Sequence, residues 1–125
     1  MILLTVDEMI LLHEKLIRIT GGTPGLRDRA LLESAVLSVN AGFDDVEQYP
    51  TTEEKAARLT FALISNHAFV DGNKRIGILA MLMTLSLNGI SVPHTQPDLI
   101  ELGLSSAAGE IKYREILGWI TFRKS

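Results

Sequence analysis

The sequence predicts an all-α fold: a compact bundle of about six helices around one central apolar helix, with at most a minor pair of strands. Three observations predict it. Apolar residues recur mostly at helical spacing. Capping signals of the Thr-x-x-Glu type stand before two of the periodic runs. The stretch from Ile76 to Leu87 carries no charge and is apolar all round, as a helix buried on every side must be. With 125 residues, 46% hydrophobic and 22% charged, the chain suits one folded domain over residues 1–125.

The elements follow in order. Thr5 and Glu8 form a capping box, and Met9, Leu12, Leu16 and Ile19 then fall at helical spacing until Gly21-Gly22 stops the run. Thr23-Pro24-Gly25 fits a type II turn, with proline setting φ and glycine accepting a positive one. Asp28 is a good N-cap for a second helix from Arg29 to about Ala41, ended by Gly42. Residues 43–50 are acidic and irregular and read as a loop or short flap. Thr51 and Glu54 cap a third helix that runs to about His67. It begins in water with Glu53, Glu54, Lys55 and Arg58 and drives into the core from Leu59. A fourth helix begins near Asn73 and stops at Asn88-Gly89. Ile90-Ser91-Val92 reads as a short strand or an extended link. Pro97 to about Ala107 and Tyr113 to Phe122 read as the last two helices.

Composition narrows the chemistry. Twelve basic against fifteen acidic side chains give a net charge of −3, which disfavours duplex DNA and anionic membranes as partners. The absence of cysteine removes disulfides, thiolate nucleophiles and cysteine metal sites, and points to a reducing cytosol. The apolar start runs at once into Asp7 and Glu8 with no basic segment before it, unlike a signal peptide. Ile76–Leu87 is short of the roughly 20 residues of a membrane span. His13-Glu14 lacks a second histidine at Ile17, so it does not open a metalloprotease motif, and no P-loop occurs. His94 reads as a surface residue, and Met81 and Met83 read as core filling.

The informative stretch joins the third and fourth helices: His67-Ala68-Phe69-Val70-Asp71-Gly72-Asn73-Lys74-Arg75. A loop ending in Gly72-Asn73 and leading into a helix aims backbone N–H groups and the positive end of the dipole outward, as an anion site does. Lys74 and Arg75 fall in the first turn, where cations cost roughly 0.3–1 kcal/mol each unless a polyanion sits there. Asp71 beside such phosphates suits a magnesium ligand. His67, at the end of the preceding helix, can take a proton from an attacking hydroxyl. Each residue also has a plain structural reading. His67 continues the apolar face of Ala56, Leu59 and Leu63; Asp71 or Asn73 serves as an N-cap; Lys74 and Arg75 form a solvated pair; Phe69 anchors the loop. From the residues alone both readings stand.

The stretch resembles the signature of the Fic/Doc superfamily, H-x-F-x-[DE]-x-N-[GK]-R, and in particular the death-on-curing (Doc) toxins, where lysine replaces the glycine of Fic adenylyltransferases. Gly22-Thr23-Pro24-Gly25-Leu26-Arg27-Asp28 is similar to the segment before the second Doc helix, and Ala108-Gly109-Glu110-Ile111 to a late Doc segment. The resemblance implies His67 as general base, Asp71 as magnesium ligand, and Gly72, Asn73, Lys74 and Arg75 as the phosphate-binding loop, with ATP and Mg²⁺ as cofactors. Fic motifs usually carry a second arginine three residues after the first; here that position is Ile78, as in the Doc branch. Gly72 stands where a Doc toxin often has alanine, a change expected to make the loop more pliable. By this resemblance the protein is the toxin of a toxin–antitoxin pair. It transfers the ATP γ-phosphate to a hydroxyl of a translation factor of the elongation factor Tu class, and a cognate antitoxin with a disordered tail restrains it. The alternatives are a Fic-type AMP transferase and a non-catalytic binding module.

Overall fold

The computed structural model describes residues 1–125 and contains six α-helices and one two-stranded hairpin. Helix α1 (Val6–Thr20) starts at the expected capping box, in which Thr5 Oγ1 accepts from the Glu8 N–H and the Glu8 carboxylate accepts from the Thr5 N–H. Its buried line differs from the expected one. Met9, His13 and Ile17, spaced four apart, face the core, whereas Ile19 is 83% exposed. The apolar spacing of Ile19 therefore misplaced the stripe, because a buried histidine occupies the middle of it.

Helix α2 (Arg29–Leu37) takes Asp28 as its N-cap, as expected, but stops four residues early and tightens into a 3₁₀ turn at Ser38–Asn40. The cause is local competition for carbonyls. Ser38 Oγ donates to the Ala35 carbonyl, the acceptor that the Val39 N–H would use in a continuing helix, and the Ala41 N–H turns back to the Ser38 carbonyl. The acidic segment after it is a hairpin of β1 (Gly42–Phe43) and β2 (Val46–Glu47), joined by Asp44 and Asp45, both with positive φ. Two consecutive positive φ values are the mark of a type I′ turn, whose twist matches that of paired strands.

Helix α3 (Thr52–Asn66) begins at the predicted capping box of Thr51 and Glu54. Its start is more buried than its charges suggest. Lys55 is only 3% exposed, holding the Val39 carbonyl and the Glu47 carboxylate, so it ties the hairpin to the helix. Helix α4 (Asn73–Leu87) has Gly72 at its N-cap and Asn88 at its C-cap. The link from Asn88 to Thr95 forms no strand, although Val92 is buried. Helix α5 (Gln96–Ala107) starts with a capping box that uses Asp98 in place of Glu, and α6 (Tyr113–Arg123) closes the bundle. The Thr23-Pro24-Gly25 segment makes no hydrogen-bonded turn; it runs on to Leu26, which pairs with Phe69 as an isolated β-bridge.

Helices α3 and α4 form the spine. One apolar cluster joins them to α1 and α2 through Met9, Leu32, Leu63, Phe69 and Ile76; a second joins them to α5 and α6 through Met81, Leu85, Leu102, Ile116 and Ile120. Met81 is fully buried and Met83 packs at the edge of the first cluster, as expected of core filling. The spine is narrow where Gly77 meets α3: a Cβ there would stand 2.7 Å from Ile64 Cγ1 and 3.4 Å from the Thr60 carbonyl oxygen. Ile64 is buried and β-branched, so it has no free rotamer into which to retreat. Gly77→Ala gains up to about 1 kcal/mol of helix propensity and loses about 1–3 kcal/mol to overpacking. The expected net result is a destabilisation of about 2 kcal/mol or less at the full propensity gain, read as a lowered urea midpoint with an unchanged slope.

Candidate active site

The motif residues lie where the C-terminus of α3 meets the N-terminus of α4. His67 is the C-cap of α3, with φ 51° and ψ 48°, a left-handed conformation that costs a non-glycine residue roughly 1–2 kcal/mol. Its side chain is exposed and makes no hydrogen bond within the protein, so the reading of a buried core histidine does not hold. The Arg27 side chain reaches across to its backbone, with Nε donating to the His67 carbonyl at 2.8 Å and Nη2 donating to the same oxygen. The next residues are held by backbone bonds. The Ala68 carbonyl accepts from the Arg27 and Asp28 N–H groups, and the Val70 N–H donates to the Gly25 carbonyl.

Phe69 is the expected anchor, 2% exposed. Burial of a side chain of this size contributes about 1.5–3 kcal/mol. A buried histidine stacks on it: the His13 ring lies 3.8 Å away at 12°, and its Nε2 is 2.7 Å from the Asp71 carbonyl oxygen, to which it donates. Asn73 neither caps the helix nor points outward. Its amide group accepts from the Phe69 N–H and donates to the Phe69 carbonyl, so its side chain clips the loop shut.

Asp71 is the electrostatic centre. Its Oδ2 accepts from the Thr23 N–H at 3.0 Å and its Oδ1 from the Gly72 N–H at 2.8 Å, and Arg75 Nη2 stands 3.7 Å from Oδ1. The two backbone donors, followed by the charge of Arg75, hold its carboxyl below the ordinary value of 3.8. Arg75 continues past it to Thr20 Oγ1 and the Gly21 carbonyl at the C-terminus of α1, where a cation is favoured. Gly22 makes this approach possible: a Cβ there would stand 2.6 Å from Asp71 Oδ2 and 2.8 Å from Arg75 Nη2.

Helix α4 has no side-chain cap, unlike α1, α3 and α5. Its N-cap Gly72 has φ 75°, and a Cβ would stand 3.0 Å from Ile17 Cδ1, so glycine serves a left-handed, closely packed cap in a loop tied at many points. The first-turn N–H groups therefore lack a capping acceptor from the chain. Lys74 takes another direction. Its stem lies over Gly103 of α5, where a Cβ would stand 2.9 Å from Lys74 Cγ, and its ammonium has no partner. Lys74 and Arg75 line an apolar groove between α1, α4 and α5 with Leu16, Ile78 and Leu99.

Residues 3–85 match the Fic/DOC family. The chain is 32% identical over 110 residues to "Protein kinase doc" of Escherichia phage P1, an alignment covering 88% of this chain and 86% of that one. It is 42% identical over 72 residues to "Toxin Doc" of Mycolicibacterium smegmatis, covering 58% of this chain and 55% of that protein's length. The chain belongs to the Fic/Doc family.

In this Fic/Doc chain the fold gathers Asp71, Gly72 and Arg75 into one cluster, with His67 at its edge on the α3 side. It turns the Asn73 amide inward and sends Lys74 toward α5. Sequence reasoning missed His13, Thr23 and Arg27. For His13 a signal existed, because Met9, His13 and Ile17 share one i, i+4 line. For Thr23 and Arg27 none existed, since their contacts span 40 residues or more.

The lowered Asp71 carboxyl makes a prediction with a definite sign. A carboxyl that ionises more readily when folded stabilises the fold fully above its ordinary value and loses that contribution as pH falls below it. In denaturation titrations, wild type is expected to exceed Asp71→Asn in stability by a constant margin above about pH 5, roughly one unit over the ordinary 3.8. That margin shrinks as the solution becomes more acid. A margin that stays constant down to pH 3 contradicts the assignment.

Proposed function

We propose that this Fic/Doc chain is the toxin of a toxin–antitoxin pair. Its reaction, on this reading, moves the γ-phosphate of ATP to a hydroxyl side chain of a translation factor of the elongation factor Tu class. The observation that carries the reading is the uncapped N-terminus of α4 beside a half-exposed Asp71 whose carboxyl is held below its ordinary value, with the exposed His67 at the other end of the same loop. The names of the two relatives, a toxin and a protein kinase, support the same direction.

Each residue then has a task. The first-turn N–H groups of α4 and the dipole behind them bind phosphate oxygens. His67, solvent-facing and free of internal bonds, accepts the proton of the target hydroxyl. The hydroxyl oxygen forms its bond to the γ-phosphorus as the β–γ bridging bond breaks, and ADP leaves with the bridging oxygen. Asp71 fits a magnesium ion held with the nucleotide: its carboxylate stays charged, and each oxygen accepts only one backbone N–H, leaving further lone-pair capacity. When bound, the ion would neutralise phosphate charge. Lys74 rests its stem over Gly103 of α5 with its ammonium free, and turned back toward the loop it would supply a cation that the open phosphate cradle of a glycine-bearing Fic loop lacks.

The antitoxin is the partner this reading requires. The groove between α1, α4 and α5, with its apolar floor and Lys74 and Arg75 at one side, suits a tail that folds on binding. No helix is long and apolar enough to cross a membrane.

The test is to incubate the protein with a bacterial lysate and ATP labelled at the α or the γ position. Wild type is expected to label its target from γ-labelled ATP only. His67→Ala is expected to lose about 10²–10⁴-fold in rate, and Lys74→Gly to lose γ-transfer. Labelling from α-labelled ATP in the wild type replaces the kinase reading with AMP transfer, and no labelling from either favours the non-catalytic module.

A further inference from the structure

His67 is the one motif residue whose backbone lies in a conformation its side chain disfavours, and nothing within the motif holds it there. Where α1, α2, α4, α5 and α6 each close on a backbone N–H bond at the C-cap, α3 has none. Its last carbonyls are taken instead by one side chain from a distant segment. The Arg27 guanidinium donates through Nε and Nη2 to the His67 carbonyl, and Nη2 also reaches the Asn66 carbonyl at 3.4 Å. A planar, charged donor fork fits this geometry, and its charge is favoured at a helix C-terminus. The backbone of the same residue, with that of Asp28, binds the Ala68 carbonyl. The stretch 25–28 therefore grips the loop on the C-terminal side of His67 through backbone bonds and grips His67 itself through Arg27.

We propose that Arg27 is the positioning residue for His67. It holds the His67 backbone in the left-handed conformation, which sets the direction of the Cα–Cβ bond and hence where the imidazole stands relative to the N-terminus of α4. The other end of the loop has separate fastenings: Thr23 and Gly72 on the Asp71 carboxylate, and His13 on the Asp71 carbonyl. Loss of the Arg27 side chain thus releases the imidazole and leaves the nucleotide end in place. The inference rests on the reading of His67 as general base, and it predicts a division between turnover and binding that general loosening of the loop does not produce.

The experiment compares wild type, Arg27→Ala, Arg27→Lys and His67→Ala for γ-phosphate transfer, with kcat and the KM for Mg·ATP measured separately. A misplaced base is expected to cost Arg27→Ala on the order of 10²-fold in kcat, with KM changed less than about two-fold and the thermal midpoint close to wild type. Arg27→Lys, which keeps the charge and loses the fork, is expected to recover part of kcat. Because Arg27 is exposed, both variants are expected to fold. An Arg27→Ala kcat equal to wild type, in preparations where His67→Ala is inactive, overturns the proposal. So does a parallel loss of kcat, KM and thermal midpoint. The backbone carbon chemical shifts of His67 supply a readout that does not depend on activity. A left-handed signature kept in Arg27→Ala overturns the proposal, and its loss supports it. If His67→Ala retains full activity, the base assignment fails, and the shifts alone then judge whether Arg27 sets this backbone.

Discussion

The close approach of α3 and α4 at Gly77 is the constraint on which the rest of the molecule depends. The two helices carry both apolar clusters, so α1 and α2 on one side and α5 and α6 on the other are positioned by how far apart the spine lies. With no side chain at 77, Ile64 and the Thr60 backbone come within contact of α4. Interiors are packed as densely as organic crystals, so a methyl group in that gap has to displace something. The junction of α3 with α4 is also where the motif lies, and the packing that builds the core therefore sets the span the loop must bridge.

That span is crossed in six residues, from His67 to Gly72, with left-handed backbone at both ends. Such a turn does not hold itself. It is held by residues 22–28, which contribute a bridge to Phe69, backbone bonds to Ala68 and Val70, a donor to Asp71 and the Arg27 fork on His67. His13 fills the space under Phe69 and ties the Asp71 carbonyl to α1. The exposed ion pair of Asp71 with Arg75, 3.7 Å apart, adds little by itself, since solvent screens half-exposed charges. Its importance is directional: it places Arg75 between the carboxylate and the C-terminus of α1.

The electrostatics of the site follow from that arrangement. The Asp71 carboxylate remains charged because donors face it, while the N–H groups of the first turn of α4 remain without a side-chain acceptor. Negative charge is fixed at one point and positive potential is left open beside it, with an unbonded imidazole at the edge.

By itself the sequence determined the local features: the capping boxes at Thr5 and Thr51, the Asp28 cap, the stops at Gly21 and at Asn88-Gly89, the apolar fourth helix and the nine-residue motif. These are signals of one to four residues, and local propensity and periodicity are enough to read them. Tertiary structure decided the rest. It buried Lys55, a charged residue near the start of α3, by bringing the Val39 carbonyl and the Glu47 carboxylate to its ammonium. It replaced the expected turn at Thr23-Pro24-Gly25 with a segment that pairs with the loop. It put His13, not Ile19, on the inner line of α1, because Phe69 and Asp71 arrive from 56 and 58 positions away to receive it. The roles of Asn73 and Arg75 changed for the same reason. Which partner a polar side chain meets depends on which distant carbonyl or carboxylate the packing brings within hydrogen-bond reach, and no local pattern encodes that.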